Sequence, residues 1–380
     1  MKIRQRAISL DLNSFFSAFF DKEVQKYMEY IRPCIASMKG YVPGLQPDPN
    51  QKYIKLNSNE NPFPPSPRVK EVLRELKYED LRIYPDPISL ELREKLGSLY
   101  GFSPNQIICG NGSDDILNII IRTFAQPGEA VGFFEPTFPL YRVLGVIHGV
   151  RIISLPVDEP YDQPPLPPDD VKIFFLANPN SPVGFAYSTS RIAEMAREIK
   201  AVFVVDEAYA EFARENALAL VRQLANVIIV RTVSKSYSLA GLRLGYAIGN
   251  EKLIAEMLKV KDPFNVTLLT QSLVAAALED QEYLRNNVSR IIDTREWFSK
   301  EAAALGYRII PSEANFVFPQ PPQKGRGIGF YKTLFNRKIL TRHYDEEGLR
   351  DGVRMTIGTR QEMATVLKVM KEILPQFSNK

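Results

Sequence analysis

Two stretches decide the fold: residues 201–209, AVFVVDEAY, and residues 226–235, NVIIVRTVSK. Each is an unbroken apolar, largely β-branched run that stops at a polar cluster. Strands buried on both faces read this way, because neither side of the pleat meets water. Outward from this pair the same rhythm recurs in QIICG (106–110), AVGFFEP (130–136), RIISLPV (151–157), KIFFLANP (172–179) and LRLGYAIGN (242–250). Segments with helical period, such as DDILNIIIRTF and SRIAEMAREIK, lie between most of them. The pattern predicts an α/β fold with a mostly parallel, seven-stranded sheet covered by helices on both faces. LRLGYAIGN follows its neighbour too closely for a helical crossover, which makes it a candidate antiparallel strand.

Beyond 250 the chain reads as helices, with a long one through DQEYLRNNVSRIIDTREWFSKEAAAL. YRIIPSEANFVFP, RKILTRHY and GVRMTIGT then read as strands, and QEMATVLKVMKEIL as a closing helix. We expect an N-terminal extension at 1–27, an arm at 28–85, a large domain at 86–290 and a small α+β domain at 291–380. The extension begins MKIRQR and lacks the clean apolar centre and small-residue cleavage site of a secretory signal. From Pro33 to Pro67 prolines crowd the chain; they fix φ and lack an amide donor, so the stretch reads as an extended, non-helical arm.

Composition narrows the function classes. The 380 residues hold 48 basic and 44 acidic side chains, a net charge of +4, with no basic stripe of the kind nucleic acids require. No apolar run reaches the roughly 18 residues of a membrane span. Two cysteines, Cys34 and Cys109, permit one disulfide at most, and with only two histidines a zinc cluster is not expected. There are 28 prolines against 21 glycines, a surplus that is odd for a compact chain. A cytoplasmic protein without nucleic-acid or membrane partners is the expectation.

In open parallel sheets, ligands sit beyond the carboxyl ends of the strands. The groups at those ends are GNGSDD, EPTF, NPNSPVG, DEAY and SKSYS. Gly110-Asn111-Gly112-Ser113-Asp114 turns from a strand into a helix, whose free amides favour an anion; an ordinary helix cap fits equally well. Asp206 ends its apolar strand as a desolvated carboxylate in want of a cation, or as a capping residue. Lys235 ends the next strand, where a desolvated amine reacts readily with aldehydes, unless it reaches out to solvent. Arg243 could grip a phosphate or merely pair with a surface acid. Together they form the set that pyridoxal 5′-phosphate needs: an amine for its aldehyde, an anion for its ring nitrogen and donors for its phosphate.

The run Arg231-Thr232-Val233-Ser234-Lys235, continuing through Ser238-Leu239-Ala240-Gly241-Leu242-Arg243-Leu244-Gly245, resembles the cofactor-lysine signature of the fold-type-I aminotransferases. Within that family the nearest likeness is to the histidinol-phosphate aminotransferases. It is carried in order by IRPCIASMKGYVPG, IKLNSNENPFPPSP, RIYPDP, GNGSDDIL, EPTFPLY, NPNSPVG, VVDEAYAEF, PFNVT, EANFVF, ILTRHY and VRMTIGT. These span nearly all the chain from about Ile31.

The resemblance implies that Lys235 binds the cofactor covalently and later moves the substrate proton. It implies Asp206 at the ring nitrogen, Tyr209 at the ring hydroxyl, and Ser113, Asp114, Ser234 and Arg243 around the phosphate, with Gly112 giving the turn. It implies a homodimer in which Tyr84 reaches the cofactor phosphate of the neighbouring subunit. Arg354 would take a substrate carboxylate, while Tyr41, Asn59 and Arg342 would line the substrate pocket, Arg342 facing the substrate phosphate. The chain departs from the family at two points. Ser181 stands where the family has an Asn bonding the ring hydroxyl, so a water or Asn180 substitutes, or Tyr209 acts alone. Phe138 stands where the ring-stacking residue is often Tyr. The implied reaction is transamination of L-histidinol phosphate with 2-oxoglutarate in histidine biosynthesis. The alternatives are an aromatic-amino-acid aminotransferase or a threonine-phosphate decarboxylase.

Overall fold

A computed structural model of the 380-residue chain describes residues 27–48 and 50–377. The expected N-terminal extension therefore lies, but for Tyr27, outside the described residues.

The central sheet has seven strands: β1 (Ile107–Gly110), β2 (Ala130–Glu135), β3 (Arg151–Pro156), β4 (Val171–Ala177), β5 (Val202–Asp206), β6 (Val227–Thr232) and β7 (Gly245–Gly249). Their spatial order is β1-β7-β6-β5-β4-β2-β3. Neighbours from β6 through β3 run parallel, whereas β7 is antiparallel to both β6 and β1. All seven apolar runs of the sequence are strands here, and LRLGYAIGN supplies the antiparallel one. Two apolar clusters cover the two faces. One is built on Phe174, Phe203, Val205 and Ile229, the other on Ile173, Phe175, Val204 and Ile228, alternating along each strand as a sheet buried on both sides requires.

Among the described residues there are ten helices of nine or more residues: α1 (Pro67–Glu75), α2 (Leu90–Tyr100), α3 (Ser113–Phe124), α4 (Leu140–His148), α5 (Thr189–Glu198), α6 (Glu251–Val260), α7 (Leu268–Leu278), α8 (Gln281–Ala304), α9 (Gly327–Asn336) and α10 (Arg360–Ile373). Among the described residues none is long and apolar enough to cross a membrane. The C-terminal strands are far shorter than expected, two residues each, paired as Phe316–Val317 with Met355–Thr356 and as Arg308–Ile309 with Pro319–Gln320. Ile54–Lys55 of the arm pairs in parallel with Ile339–Leu340 and so ties the arm to this C-terminal part.

The proline arm is a partial correction. It is mostly extended, but Pro33–Ser37 forms one helical turn and Pro67 opens α1. Proline at the first helical position loses nothing, since its missing amide would have had no partner there. Cys34 and Cys109 are free thiols.

The motif residues beside the expected chemistry hold the strand ends together. Arg231 at the end of β6 donates from Nε and Nη2 to Glu207 Oε2 at 2.9 and 2.7 Å, and both side chains are buried. Glu207 Oε1 accepts from the Ala217 amide, and Glu211 lies 3.5 Å from Arg231. Asn265 bonds Asp115 Oδ2 at 2.9 Å, which pins the start of α3.

Candidate active site

A cavity of about 250 Å³ opens at the carboxyl ends of β4, β5 and β6 and the start of α3. It is walled on the other side by the arm and by the C-terminal part of the chain. Into its lining the fold brings Tyr41, Asn59, Ser113, Asp114, Phe138, Ser181, Asp206, Tyr209, Ser234, Lys235, Arg243, Arg342 and Arg354, residues more than 300 positions apart.

Lys235 is one anchor. Burial, with the positive charge of Arg354 next in weight, pushes its amine down to about 8, and its nearest partner is Ser58 O at 3.4 Å. Asn61 donates from Nδ2 to the Lys235 and Ser236 carbonyls at 3.0 and 3.1 Å, which fixes the backbone that carries it. Asp206 is the other anchor, 6 % exposed. Burial drives its carboxyl up to about 6 against the pull of two donors, Tyr141 OH on Oδ2 at 2.8 Å and the Ala208 amide on Oδ1 at 3.2 Å. Among the described residues, no ion pair joins this acid to Lys235 or to any other base. A desolvated acid without a base and a desolvated amine without an acid thus share one cavity.

Tyr209 is buried and accepts from Asn59 Nδ2 at 2.9 Å, leaving its own proton for another acceptor. Asn59, 1 % exposed, is itself gripped by Thr356 Oγ1, which donates to Asn59 Oδ1 at 3.1 Å and accepts from its amide at 2.9 Å. It therefore orients Tyr209 as much as it lines the pocket.

At the phosphate end, Gly112 at φ +90° caps α3 and its missing side chain makes room for the Arg243 guanidinium. Arg243 Nη2 lies 3.1 Å from Asp114 Oδ2. Gly245 of β7 packs so tightly on the Gly112–Ser113 backbone that a methyl there would collide with it. Thr232 Oγ1 donates to Leu244 O at 2.9 Å and accepts from Ser234 Oγ at 2.9 Å, holding the Ser234 hydroxyl at the cavity wall.

On the substrate side, Arg342 and Arg354 face one another across a single antiparallel bridge, their amides and carbonyls exchanged at 2.9 and 2.7 Å. Both guanidinium groups lie over the Tyr344 ring, at 5.6 and 5.8 Å. Arg354 also donates to Ser181 Oγ at 3.3 Å and to Asn57 O at 3.1 Å. Arg342 binds the arm through Val42 O at 2.7 Å and Pro43 O at 3.0 Å. Tyr41 of the same arm meets the edge of Phe138, with ring centres 6.0 Å apart.

Two expected residues stand apart from the cavity. The Asn180 side chain is spent on Pro136 O at 2.9 Å and on the Val183 amide at 3.3 Å, so it is not free to replace the family Asn. Tyr84 is 77 % exposed and stacks on Phe264 at 4.5 Å, within a strip that also exposes Tyr78, Leu81 and Ile83. Sequence reasoning missed Tyr141, Thr232 and Tyr344. Thr232 sits inside the quoted signature and Tyr344 two residues from Arg342, so both were within reach. Tyr141 closes the quoted EPTFPLY stretch, but nothing there singles it out, because its partner is 65 residues away.

The donor set fits pyridoxal phosphate on chemical grounds. Asp206 is an unpaired buried acid for a cationic ring nitrogen, Lys235 a desolvated amine for an aldehyde. Tyr209 offers a spare hydroxyl proton, and Ser113, Ser234 and Arg243 converge at a helix start for a phosphate.

The family profile described as aminotransferase class I and II matches residues 51–370. A histidinol-phosphate aminotransferase of Citrifermentans bemidjiense is 46 % identical over 346 residues, 91 % of this chain and 99 % of that protein. One from Geobacter sulfurreducens is 47 % identical over 346 residues, covering 90 % and 99 %. Among solved structures, the Sinorhizobium meliloti histidinol-phosphate aminotransferase in complex with pyridoxal-5′-phosphate superposes with a TM-score of 0.81 at 26 % identity, over 92 % of this chain and 98 % of that one.

Proposed function

This chain belongs to the class I and II aminotransferases, and from that premise we propose that it transfers an amino group from L-histidinol phosphate to 2-oxoglutarate by means of pyridoxal phosphate. Bound in the cavity, the cofactor supplies an aldehyde that captures amines and a ring that takes up the electron pair left when the substrate Cα–H bond breaks. Lys235 Nζ holds the cofactor before substrate arrives, then takes the Cα proton and returns it. Its amine, lowered to about 8 by burial, still carries its proton for the most part at pH 7 but gives it up far more readily than an ordinary lysine. Asp206 would hold the ring nitrogen cationic, Tyr209 would donate to the ring hydroxyl, and Ser113, Asp114, Ser234 and Arg243 would hold the phosphate. Phe138 would supply an aromatic wall for the ring. Ser181, close to Arg354, is too short to do what the family Asn does, so Tyr209 carries the ring hydroxyl. Tyr41, Asn59, Arg342 and Arg354 form the substrate wall, which the contacts of Arg342 with the arm hold together.

The observation that carries the substrate reading is the cross-strand pair Arg342 and Arg354. Like charges directly opposite on a ladder are unfavourable. Their placement makes sense in a pocket that receives a phosphorylated amine in one half-reaction and a dicarboxylic oxo acid in the other. The division into arm, large part (86–290) and small part (291–380) is our reading of the same geometry, since substrate would bind where they meet. The exposed strip around Tyr84 is read as a homodimer surface that brings Tyr84 to the partner's cofactor phosphate. A location in the cytoplasm, where amino-acid biosynthesis takes place, belongs to the same reading.

Arg342→Ala tests the substrate. It should raise KM for histidinol phosphate about tenfold or more, the loss expected for a charge-assisted bond, and leave KM for phenylalanine nearly unchanged. Equal effects on both substrates would favour the aromatic aminotransferase instead.

A further inference from the structure

The Asp206 carboxylate is held from outside the reacting groups by one phenol. Tyr141, in the first turn of α4, is fully buried, and its hydroxyl donates to Asp206 Oδ2 at 2.8 Å. Its ring has no freedom to leave. It stacks on Phe175 at 4.9 Å and 11°, and lies against Phe133 at 6.0 Å and against the edge of Phe138 at 5.8 Å. Burial and the neighbouring acid hold the phenol well above its ordinary range, so it stays a donor. Asp206 Oδ1 receives only the longer Ala208 amide bond, at 3.2 Å, and a carboxylate oxygen accepts more than one donor. Oδ2 is thus satisfied from the core side, and Oδ1 keeps capacity for a further donor. The other charged or titratable groups that act on Asp206 give no help. Asp114 at the start of α3 and Glu207 beside it both disfavour its charge, and Tyr209 is a neutral phenol.

We infer that Tyr141 is a positioning residue for the reaction: its hydroxyl fixes the orientation of the Asp206 carboxylate and keeps it ionised, so that Oδ1 can meet a cationic ring nitrogen. The inference rests on the proposed role of Asp206. It adds a residue that touches neither substrate nor cofactor through its hydroxyl. Without that hydroxyl, Oδ2 would face an apolar wall and the proton would return to the acid.

Tyr141→Phe removes one oxygen and keeps the ring packing. In the cofactor-free full-length protein, the Asp206 carboxyl is followed by 13C NMR, assigned with Asp206→Asn. Its titration should move up by about one pH unit or more in Tyr141→Phe; an unmoved titration overturns the proposal without reference to any cofactor. Dissociation constants for pyridoxal phosphate then complete a cycle of wild type, Tyr141→Phe, Asp206→Asn and the double variant. Tyr141→Phe should weaken binding about tenfold alone and not at all on the Asp206→Asn background. A loss that persists undiminished in the double variant means a packing role and overturns the proposal. If Asp206→Asn itself binds pyridoxal phosphate like wild type, the role of Asp206 in the proposed function fails instead, and the NMR titration alone judges Tyr141.

Discussion

At the scale of single residues, the site is paid for in stability. Asp206 has a folded-state value near 6 against an ordinary 3.8, because burial disfavours its charge. Between those values the folded chain holds more protons than the unfolded one, so stability falls as pH rises through that window, and the full penalty stands above about 6. Asp206→Asn should therefore stabilise the cofactor-free protein at pH 7 by about 2–3 kcal/mol and give little gain at pH 4. Urea unfolding at the two pH values measures this; equal effects at both would mean that burial of charge is not the cost. Asp206 and Lys235 were legible in the sequence because a charged group ending a continuous apolar run is rare enough to be noticed. Tyr141 was not, since a tyrosine within an amphipathic helix is indistinguishable from packing until its partner strand is placed. Asn180 looked like a replacement for the absent family Asn. Adjacent residues in the turn NPNSPVG face different ways, and sequence alone does not say which.

At the scale of elements, the reliable signals came from burial on both faces. The seven long strands could hardly be anything else, whereas the paired C-terminal strands of two residues each lie within longer apolar stretches that mislead about their extent. Proline misled in the other direction: it forbids a helix interior but not a helix start, which is why Pro33 and Pro67 open helices. Glu207 and Arg231 flank the chemistry and were read only as parts of motifs. They join β5, which delivers Asp206, to β6, which leads to Lys235, at the end where both must be held in register. Removing one partner of such a buried pair strands the other charge. Glu207→Gln should lower unfolding stability by about 3 kcal/mol, near the low end for buried pairs because Glu211 also faces Arg231. Denaturant titration checks it, and a loss well under 1 kcal/mol would mean that Glu211 alone suffices.

At the scale of the whole molecule, the class of fold and the edge of the sheet that carries the chemistry were both legible, because eleven short motifs keep one order along the chain. What the sequence could not supply was how the arm folds back, since Asn57, Asn315 and Arg342 hold it by donating to the carbonyls of Leu45, Asn59, Val42 and Pro43, whose positions no side-chain pattern encodes. The proposed dimer makes a sharp prediction. Lys235→Ala and Tyr84→Phe impair different sites if Tyr84 acts across the interface. Unfolding the two variants together and refolding them as a mixture should give about a quarter of wild-type activity, from heterodimers with one intact site each, although either variant alone is poor. If the mixture shows no more than the mean of its parents, Tyr84 works within its own subunit or not at all.

The facing pair Arg342 and Arg354 carries one more consequence. Two cations held across one bridge make the pocket an electrostatically frustrated part of the fold, and any small anion that settles between them relieves it. Folding stability and anion concentration are then linked quantities, rising together as RT ln(1 + [L]/Kd). For this protein the buffer is a ligand: phosphate or sulfate in solution would act as a weak mimic of substrate and as a competitor for its place.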